Sequence, residues 1–160
     1  SKKSAIIKSN LKTQNTIFSG TLIIMDITLI SLLFDAGLFV LIWMVQLVVY
    51  PSFLYFEKEN LLKWHQQYTK GLSVIVIPLM FGQLITAIIQ LVQFSSLETI
   101  IRFIMVSAVW ISTFAQFVPI HTKITNHKAT EKLLKQLVLK NWLRTLLWTL
   151  ILGWSLYMST

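Results

Sequence analysis

The chain has 160 residues, of which 55% are hydrophobic and 12% are charged. That charged share is about half of the share found in ordinary soluble domains. Its 14 Lys and Arg residues outnumber its 6 Asp and Glu residues, for a formal net charge of +8. This composition excludes a disordered chain, argues against a nucleic-acid-binding module, and is typical of an integral membrane protein with lysine-rich loops. Cysteine does not occur in the sequence, which excludes disulfide bonds, thiolate nucleophiles and cysteine-held zinc or iron–sulfur clusters.

The first half of the chain predicts two long helices behind a basic segment. Residues 1–20 form a polar tail with lysines and no acidic residue. A long apolar stretch then predicts a first membrane helix at about 24–51, with Pro51 in its end region, because about 20 residues cross the hydrocarbon. The stretch is too long for the core of a signal peptide. A second helix is predicted at about 61–94, where Gly82 would permit close contact with a neighbouring helix.

The second half predicts two further helices. A turn at Ser95 and Ser96 leads into a third helix at about 97–118, which is expected to stop at Pro119. Residues 121–130 are interpreted as a polar loop. Thr130 then provides an N-cap, and Glu131 a first-turn acid, for a fourth helix at about 130–158.

Short loops between these helices predict one all-α domain, residues 21–160. The expected architecture is an antiparallel four-helix bundle with four transmembrane helices, in a multi-pass protein of the bacterial inner membrane. We call the end that carries the first and third connections, around residues 51–65 and 118–131, the loop face. Arg102 is assigned to the opposite end, with the tail lysines. The larger number of basic residues at the loop face favours a cytoplasmic loop face by the positive-inside rule. The lysines of the tail favour the opposite orientation, so the orientation stays open. The basic residues assigned to the loop face are Lys58, Lys63, Lys70, Lys123, Lys128, Lys132, Lys135, Lys140 and Arg144.

Helical periodicity places polar residues from all four helices near the loop face. A polar group left without a hydrogen bond in lipid costs several kcal/mol of free energy. These residues are therefore expected to face the bundle interior. The predicted ligand-binding residues, which we call the loop-face cluster, are Gln46, Tyr50, His65, Tyr68, Gln116, His121, Asn141, Arg144 and Trp148. Within it, His65, Tyr68 and Arg144 are the candidate catalytic residues.

Several members of this cluster have a structural alternative. The two histidines are either interfacial residues bonded to carbonyl groups or ligands of a haem. No spacing in the sequence indicates a dedicated metal site. Arg144 either extends to the membrane interface or binds an anion or an oxygenated ring. Trp148, and Trp110 outside the cluster, are interpreted as core packing, with a pocket for an aromatic ligand as the alternative.

Asp35 and Gln83 lie deeper, more than about 20 Å along the helix from Tyr50 and His65, respectively, at 1.5 Å per residue. A carboxylate near the bilayer centre costs about 2.5–3.5 kcal/mol on translocon-based scales. Asp35 is therefore expected to be protonated or bonded to Gln83, which would lock two helices together. The alternative roles are proton transfer or contact with a polar substrate.

Two stretches near the loop face resemble known membrane proteins. Residues 118–121 and 137–145 resemble the small four-helix proteins of the anthrone-oxygenase-like family, which carry a Pro-x-Asn turn and a Trp/Asn-x-x-Arg-Thr motif at the start of the fourth helix. The matching residues are Pro119, Asn141, Arg144 and Thr145, and His121 stands where the family favours Asn. The resemblance implies a four-span bundle, a pocket at that end and oxygenation of a phenolic polyketide without a metal. Residues 46–51 and 64–69 resemble uncharacterised bacterial membrane proteins of similar size.

Three functions therefore stand as hypotheses. The first is a site that binds or transforms an aromatic, phenolic or anionic small molecule, with Tyr68 or His65 as acid–base and Arg144 stabilising a phenolate or enolate. The second is an accessory subunit of a larger membrane complex, which holds pigment, lipid or partner subunits. The third is an electron-transfer protein with haem ligated by His65 and His121. The sequence leaves open whether the chain is an enzyme. The identity of any cofactor is also open, and the sequence requires no cofactor. The expected partners are the lipid bilayer and other membrane subunits or a second copy of the chain, with no nucleic acid.

Overall fold

The computed structural model describes residues 27–159, and all regular structure in that range is helical. The predicted basic tail and the predicted start of the first helix lie outside the described residues. The described residues form four helices, which confirms the all-α prediction. The helices are α1 at Ile27–Tyr55, α2 at Lys58–Phe94, α3 at Leu97–Thr125 and α4 at Glu131–Ser159.

The starts of α3 and α4 follow from the capping residues in the sequence. The hydroxyl group of Ser96 accepts a hydrogen bond from the Thr99 N–H, and the Thr99 hydroxyl accepts one from the Ser96 N–H. Thr130 caps α4 as predicted, because its hydroxyl accepts a hydrogen bond from the Leu133 N–H at 3.2 Å. Each cap satisfies backbone N–H groups that have no partner inside the helix.

The third helix does not stop at Pro119, so its predicted end at residue 118 is wrong, and the predicted loop at residues 121–130 is confined to the residues after Thr125. A π-helical turn at Thr113–Phe117 is followed directly by the α-helical segment Val118–Thr125. Proline lacks an N–H group and clashes with the carbonyl four residues earlier, and the wider π turn accommodates both effects. Consequently His121 lies within α3 instead of in a loop.

The same arrangement occurs in α1. A π-helical turn at Val45–Val49 precedes Pro51, and the chain stays helical to Tyr55, beyond the predicted end at residue 51. Tyr50 in α1 and His121 in α3 therefore both follow a π turn. A π turn adds one residue to a helical turn and so changes the direction of the side chains that come after it.

Side-chain contacts pair each helix with its neighbours in antiparallel fashion. α1 meets α2 at Gly82, where an added Cβ would lie 2.3 Å from the ring of Phe34, so the predicted close contact is confirmed. α1 meets α4 where the indole N–H of Trp43 donates to the Thr149 hydroxyl at 3.1 Å. α3 meets α4 where the Trp154 indole N–H donates to a carbonyl group at the start of α3.

Three of the helices, α1, α2 and α3, are long and apolar enough to cross a membrane. Large hydrophobic side chains on all four helices remain exposed on the outer surface. Contiguous apolar surface on long helices marks contact with lipid or with other membrane proteins. These features indicate association with a membrane.

Candidate functional site

An elongated cavity of about 340 Å³ lies between the four helices and reaches toward the loop face. Its polar end, which we call the cavity head, is formed by one residue from each helix: Tyr50, Tyr68, His121 and Arg144. The remainder of the wall is mostly apolar, with the hydroxyl-bearing residues of α2 and α3 bonded to their own backbones. An apolar cavity with a few converging polar groups is the usual form of a small-molecule site.

Arg144 is the charged group of the cavity head. It is 7% exposed, and its guanidinium carbon lies 4.2 Å from the centre of the Phe117 ring and 5.0 Å from that of Trp148. The ion pairs within residues 27–159 join Arg102 to Asp35 and Lys135 to Glu131, so none involves Arg144.

The charge of Arg144 is thus only partly compensated. Its Nε atom is buried and has no hydrogen-bond partner among the described residues. Each aromatic ring contributes about 2 kcal/mol at a desolvated site, whereas the effective cost of burying a charge is several kcal/mol. The site is therefore complementary to a negative charge.

A chain of hydrogen bonds extends from the cavity head into the protein. The Tyr50 hydroxyl and Nε2 of His121 are 3.2 Å apart, and Nδ1 of His121 lies 2.8 Å from Nε2 of His65. The Tyr68 hydroxyl lies close to that of Tyr50 but forms no hydrogen bond of regular geometry with the described residues. The chain provides a path along which a proton can move between the cavity and His65.

The two histidines meet, but not in the manner that haem ligation requires. Their rings are stacked with centres 5.1 Å apart, and facing nitrogen atoms of the two rings share a hydrogen bond. Iron held between His65 and His121 would need that bond to break and the rings to separate. The geometry therefore does not favour the haem hypothesis. The described residues also contain no group of three or more His, Cys, Asp or Glu side chains arranged to hold a metal ion.

Five members of the predicted loop-face cluster do not line the cavity. Gln46 accepts a hydrogen bond from the Asn141 amide at 2.9 Å and donates one to the Val138 carbonyl, so this pair joins α1 to α4. Gln116 donates to Ser112 one turn earlier in α3. The other two are His65, which lies behind His121, and Trp148, which lies beneath Arg144.

The deep polar residues form a second cluster with its own partners. Asp35 accepts a hydrogen bond from the Gln83 amide at 2.7 Å, which confirms the predicted contact between α1 and α2. It also accepts from Arg102 Nη2 at 2.9 and 3.1 Å and from the Ser155 hydroxyl at 2.5 Å. Trp148 completes this deep cluster by donating to Gln83 at 3.2 Å.

Arg102 was assigned by sequence to the end opposite the loop face, but it is 1% exposed and paired with Asp35. The pairing had one signal in the sequence: Arg102 lies at about the same depth in the third helix as Asp35 does in the first. Both oxygens of Asp35 are bonded to neighbours, so the deep cluster joins the four helices, and its unpartnered polar atom is the buried Nη1 of Arg102. Arg102 neutralises the charge of Asp35, so a role in proton transfer is not needed to explain an acid at this depth.

Sequence reasoning also missed most of the cavity wall. For Trp110 the alternative of a pocket wall holds in place of the favoured core packing: Trp110 lines the cavity, and its indole nitrogen is buried without a hydrogen-bond partner in the described part of the chain. Its alignment with Phe117 and His121 along α3 was the signal that could have identified it. A second hollow, of about 470 Å³, lies at the loop face between Leu61 and His127 but contains none of the predicted site residues.

Comparison of the chain with protein-family models, with curated proteins and with solved structures finds no significant match. The resemblance to the anthrone-oxygenase-like family therefore stays a prediction. Function must be argued from the cavity itself.

Proposed function

We propose that the chain is a multi-pass protein of the bacterial inner membrane that crosses the bilayer four times as an antiparallel bundle. Three helices have the length and apolarity of membrane spans. α4 has 29 residues, about the same length as α1 and α3, and it packs along both of them. The lysine-rich connections between apolar helices support the assignment to an inner membrane.

We further propose that the cavity binds an aromatic, phenolic or anionic small molecule, with its oxygen atoms at the cavity head. One observation carries this proposal: Arg144 is buried at the polar end of an apolar cavity, with no carboxylate partner among residues 27–159. A guanidinium group stays charged, so an acidic or strongly polarised oxygen of a ligand supplies the missing partner.

The same groups would serve a reaction on such a ligand. His121 lines the cavity and would take a proton from a phenol or enol, while Arg144 would stabilise the anion that forms. The hydrogen bond from His121 to His65 would then carry the proton away from the ligand. In this proposal His121 replaces His65 as the acid–base residue, because His65 does not line the cavity.

The proposal is tested by titrating purified protein in nanodiscs with 2-naphthol and 2-naphthoate. Arg144→Gln should weaken binding of 2-naphthoate roughly 10- to 100-fold, because a charge-assisted hydrogen bond is worth about 1.5–3 kcal/mol. Tyr68→Phe should weaken it about 2- to 10-fold, because a neutral hydrogen bond contributes about 0.5–1.5 kcal/mol.

Lys140→Gln is the matched control, since it removes one exposed positive charge one turn earlier in α4. Binding that falls equally in Lys140→Gln and Arg144→Gln would mean general attraction to a basic surface and would overturn the proposal. Absence of binding by both naphthalenes in folded wild-type protein would also overturn it, and would leave the accessory-subunit hypothesis as the better account.

A further inference from the structure

The cavity has features that specify its ligand more narrowly than the proposed function does. Three residues that line it carry buried polar atoms without a hydrogen-bond partner in the described range: the Tyr68 hydroxyl, the Trp110 indole nitrogen and Nε of Arg144. Two of these groups are donors only, and the third can donate. A cavity that offers donors and a positive charge is matched by a ligand rich in acceptors, and a carboxylate fits this pattern better than a neutral alcohol.

The shape of the cavity favours one chain over a fused ring system. Its lining on α2 extends from Tyr68 to Phe81, 13 residues or about 20 Å along the helix axis. With a volume of about 340 Å³, the space is long and narrow. The walls beyond the cavity head are aliphatic and aromatic side chains that suit a hydrocarbon chain, among them Leu72, Val76 and Met80.

The cavity also opens sideways, between α2 and α3. The backbone of α2 contacts the π turn Thr113–Phe117 less than it contacts the segments of α3 before and after that turn. Residues that line the cavity on either side of this gap also face outward: Ile77 and Phe81 on α2, and Phe114 and Val118 on α3. Because these positions belong to the two helices with the composition of membrane spans, the gap faces lipid and not the loops.

From these observations we propose that the ligand is a single-chain carboxylic acid dissolved in the membrane, which reaches the cavity through the gap between α2 and α3. Its carboxylate pairs with Arg144 and accepts a hydrogen bond from Tyr68. Its chain lies along α2 beneath Trp110. The inference rests on the proposed function, since it names the ligand of the same site.

The test compares three probes of equal chain length, palmitate, hexadecanol and methyl palmitate, in nanodiscs that contain the purified protein. Palmitate should bind roughly 10- to 100-fold more tightly than either neutral probe, and Arg144→Gln should remove that preference. A brominated stearate should quench part of the intrinsic tryptophan fluorescence, and Trp110→Phe should remove that part. Equal affinity for the acid and the neutral probes would overturn the inference.

Val118→Phe tests the access route, because it adds bulk at the gap. It should slow association of the brominated acid, whereas Ile111→Phe, an exposed position on the same helix outside the cavity, should not. Equal association rates in these two variants would overturn lateral access. If 2-naphthoate binds through Arg144 and palmitate shows no preference, the proposed function stands and this inference fails. If neither acid binds, both fail.

Discussion

The ion pair between Asp35 and Arg102 makes a quantitative prediction about stability. Both side chains are almost fully buried, and Nη2 of Arg102 contacts both carboxylate oxygens at 2.9 and 3.1 Å. Asp35→Asn keeps the size of the side chain and still accepts hydrogen bonds, but it leaves Arg102 charged and unpaired. Removing one partner of a buried ion pair costs about 3–5 kcal/mol. We therefore expect Asp35→Asn to lower the free energy of unfolding by about 3 kcal/mol or more.

The double variant Asp35→Asn with Arg102→Met should be more stable than Asp35→Asn alone. It removes the unpaired charge, while the asparagine oxygen still accepts a hydrogen bond from Gln83 or Ser155. Replacing a buried ion pair by uncharged side chains is often neutral or stabilising, which is the physical basis of this rescue. The comparison separates the cost of an unpaired charge from general damage to the core.

The measurement is reversible unfolding in mixed micelles of dodecyl maltoside and SDS, followed by far-UV circular dichroism. Glu131→Gln is the control, because Glu131 also forms an ion pair, with Lys135 one turn later, but both side chains are exposed. An exposed pair of this kind contributes little to stability. If Asp35→Asn unfolds at the same SDS fraction as Glu131→Gln, or if the double variant is the less stable of the two Asp35 variants, the reasoning is refuted.

Three further predictions concern single contacts. Gly82→Ala places a Cβ 2.3 Å from the Phe34 ring of α1 and should lower the free energy of unfolding by about 1–3 kcal/mol in the same assay. An unchanged unfolding midpoint would contradict the close packing of α1 on α2. Trp148→Phe removes the donor to the buried amide oxygen of Gln83 and should cost about 1–3 kcal/mol, whereas an unaffected protein would show that this hydrogen bond is not formed. The hydrogen bond and charge of Lys135 lower the pKa of Glu131. Lys135→Ala should therefore raise that pKa toward its ordinary value in an NMR titration. An unchanged pKa would exclude the ion pair in solution.

Local features of the fold could be predicted because each depends on residues close together in the sequence. The N-cap at Thr130 follows from a hydroxyl residue before an apolar helix. The contact of Asp35 with Gln83 follows from helix rise, since both lie about the same distance from the loop face. The position of Gly82 likewise indicated where two helices approach closely.

Features that depend on competing local and tertiary effects could not be predicted in the same way. Proline usually ends a helix, so the continuation of α3 past Pro119 required a π turn for which the sequence has no simple signal. The burial of Arg102 was not predicted, because a basic residue near a helix end is usually exposed. The cavity depends on how far α2 and α3 separate around the π turn, a spacing set by packing in three dimensions.

The proposed function requires Arg144 to hold the acidic group of a ligand inside the cavity. The chain contains two arginines, Arg102 and Arg144, so protein labelled with ¹⁵N-arginine gives two guanidinium environments. Solid-state NMR with 2-naphthoate labelled with ¹³C at its carboxyl group would measure the dipolar contact between that carbon and each guanidinium group. We expect one contact, which Arg144→Gln abolishes and Lys140→Gln leaves intact. A carboxyl group that contacts neither arginine, or a contact that survives in Arg144→Gln, would contradict it.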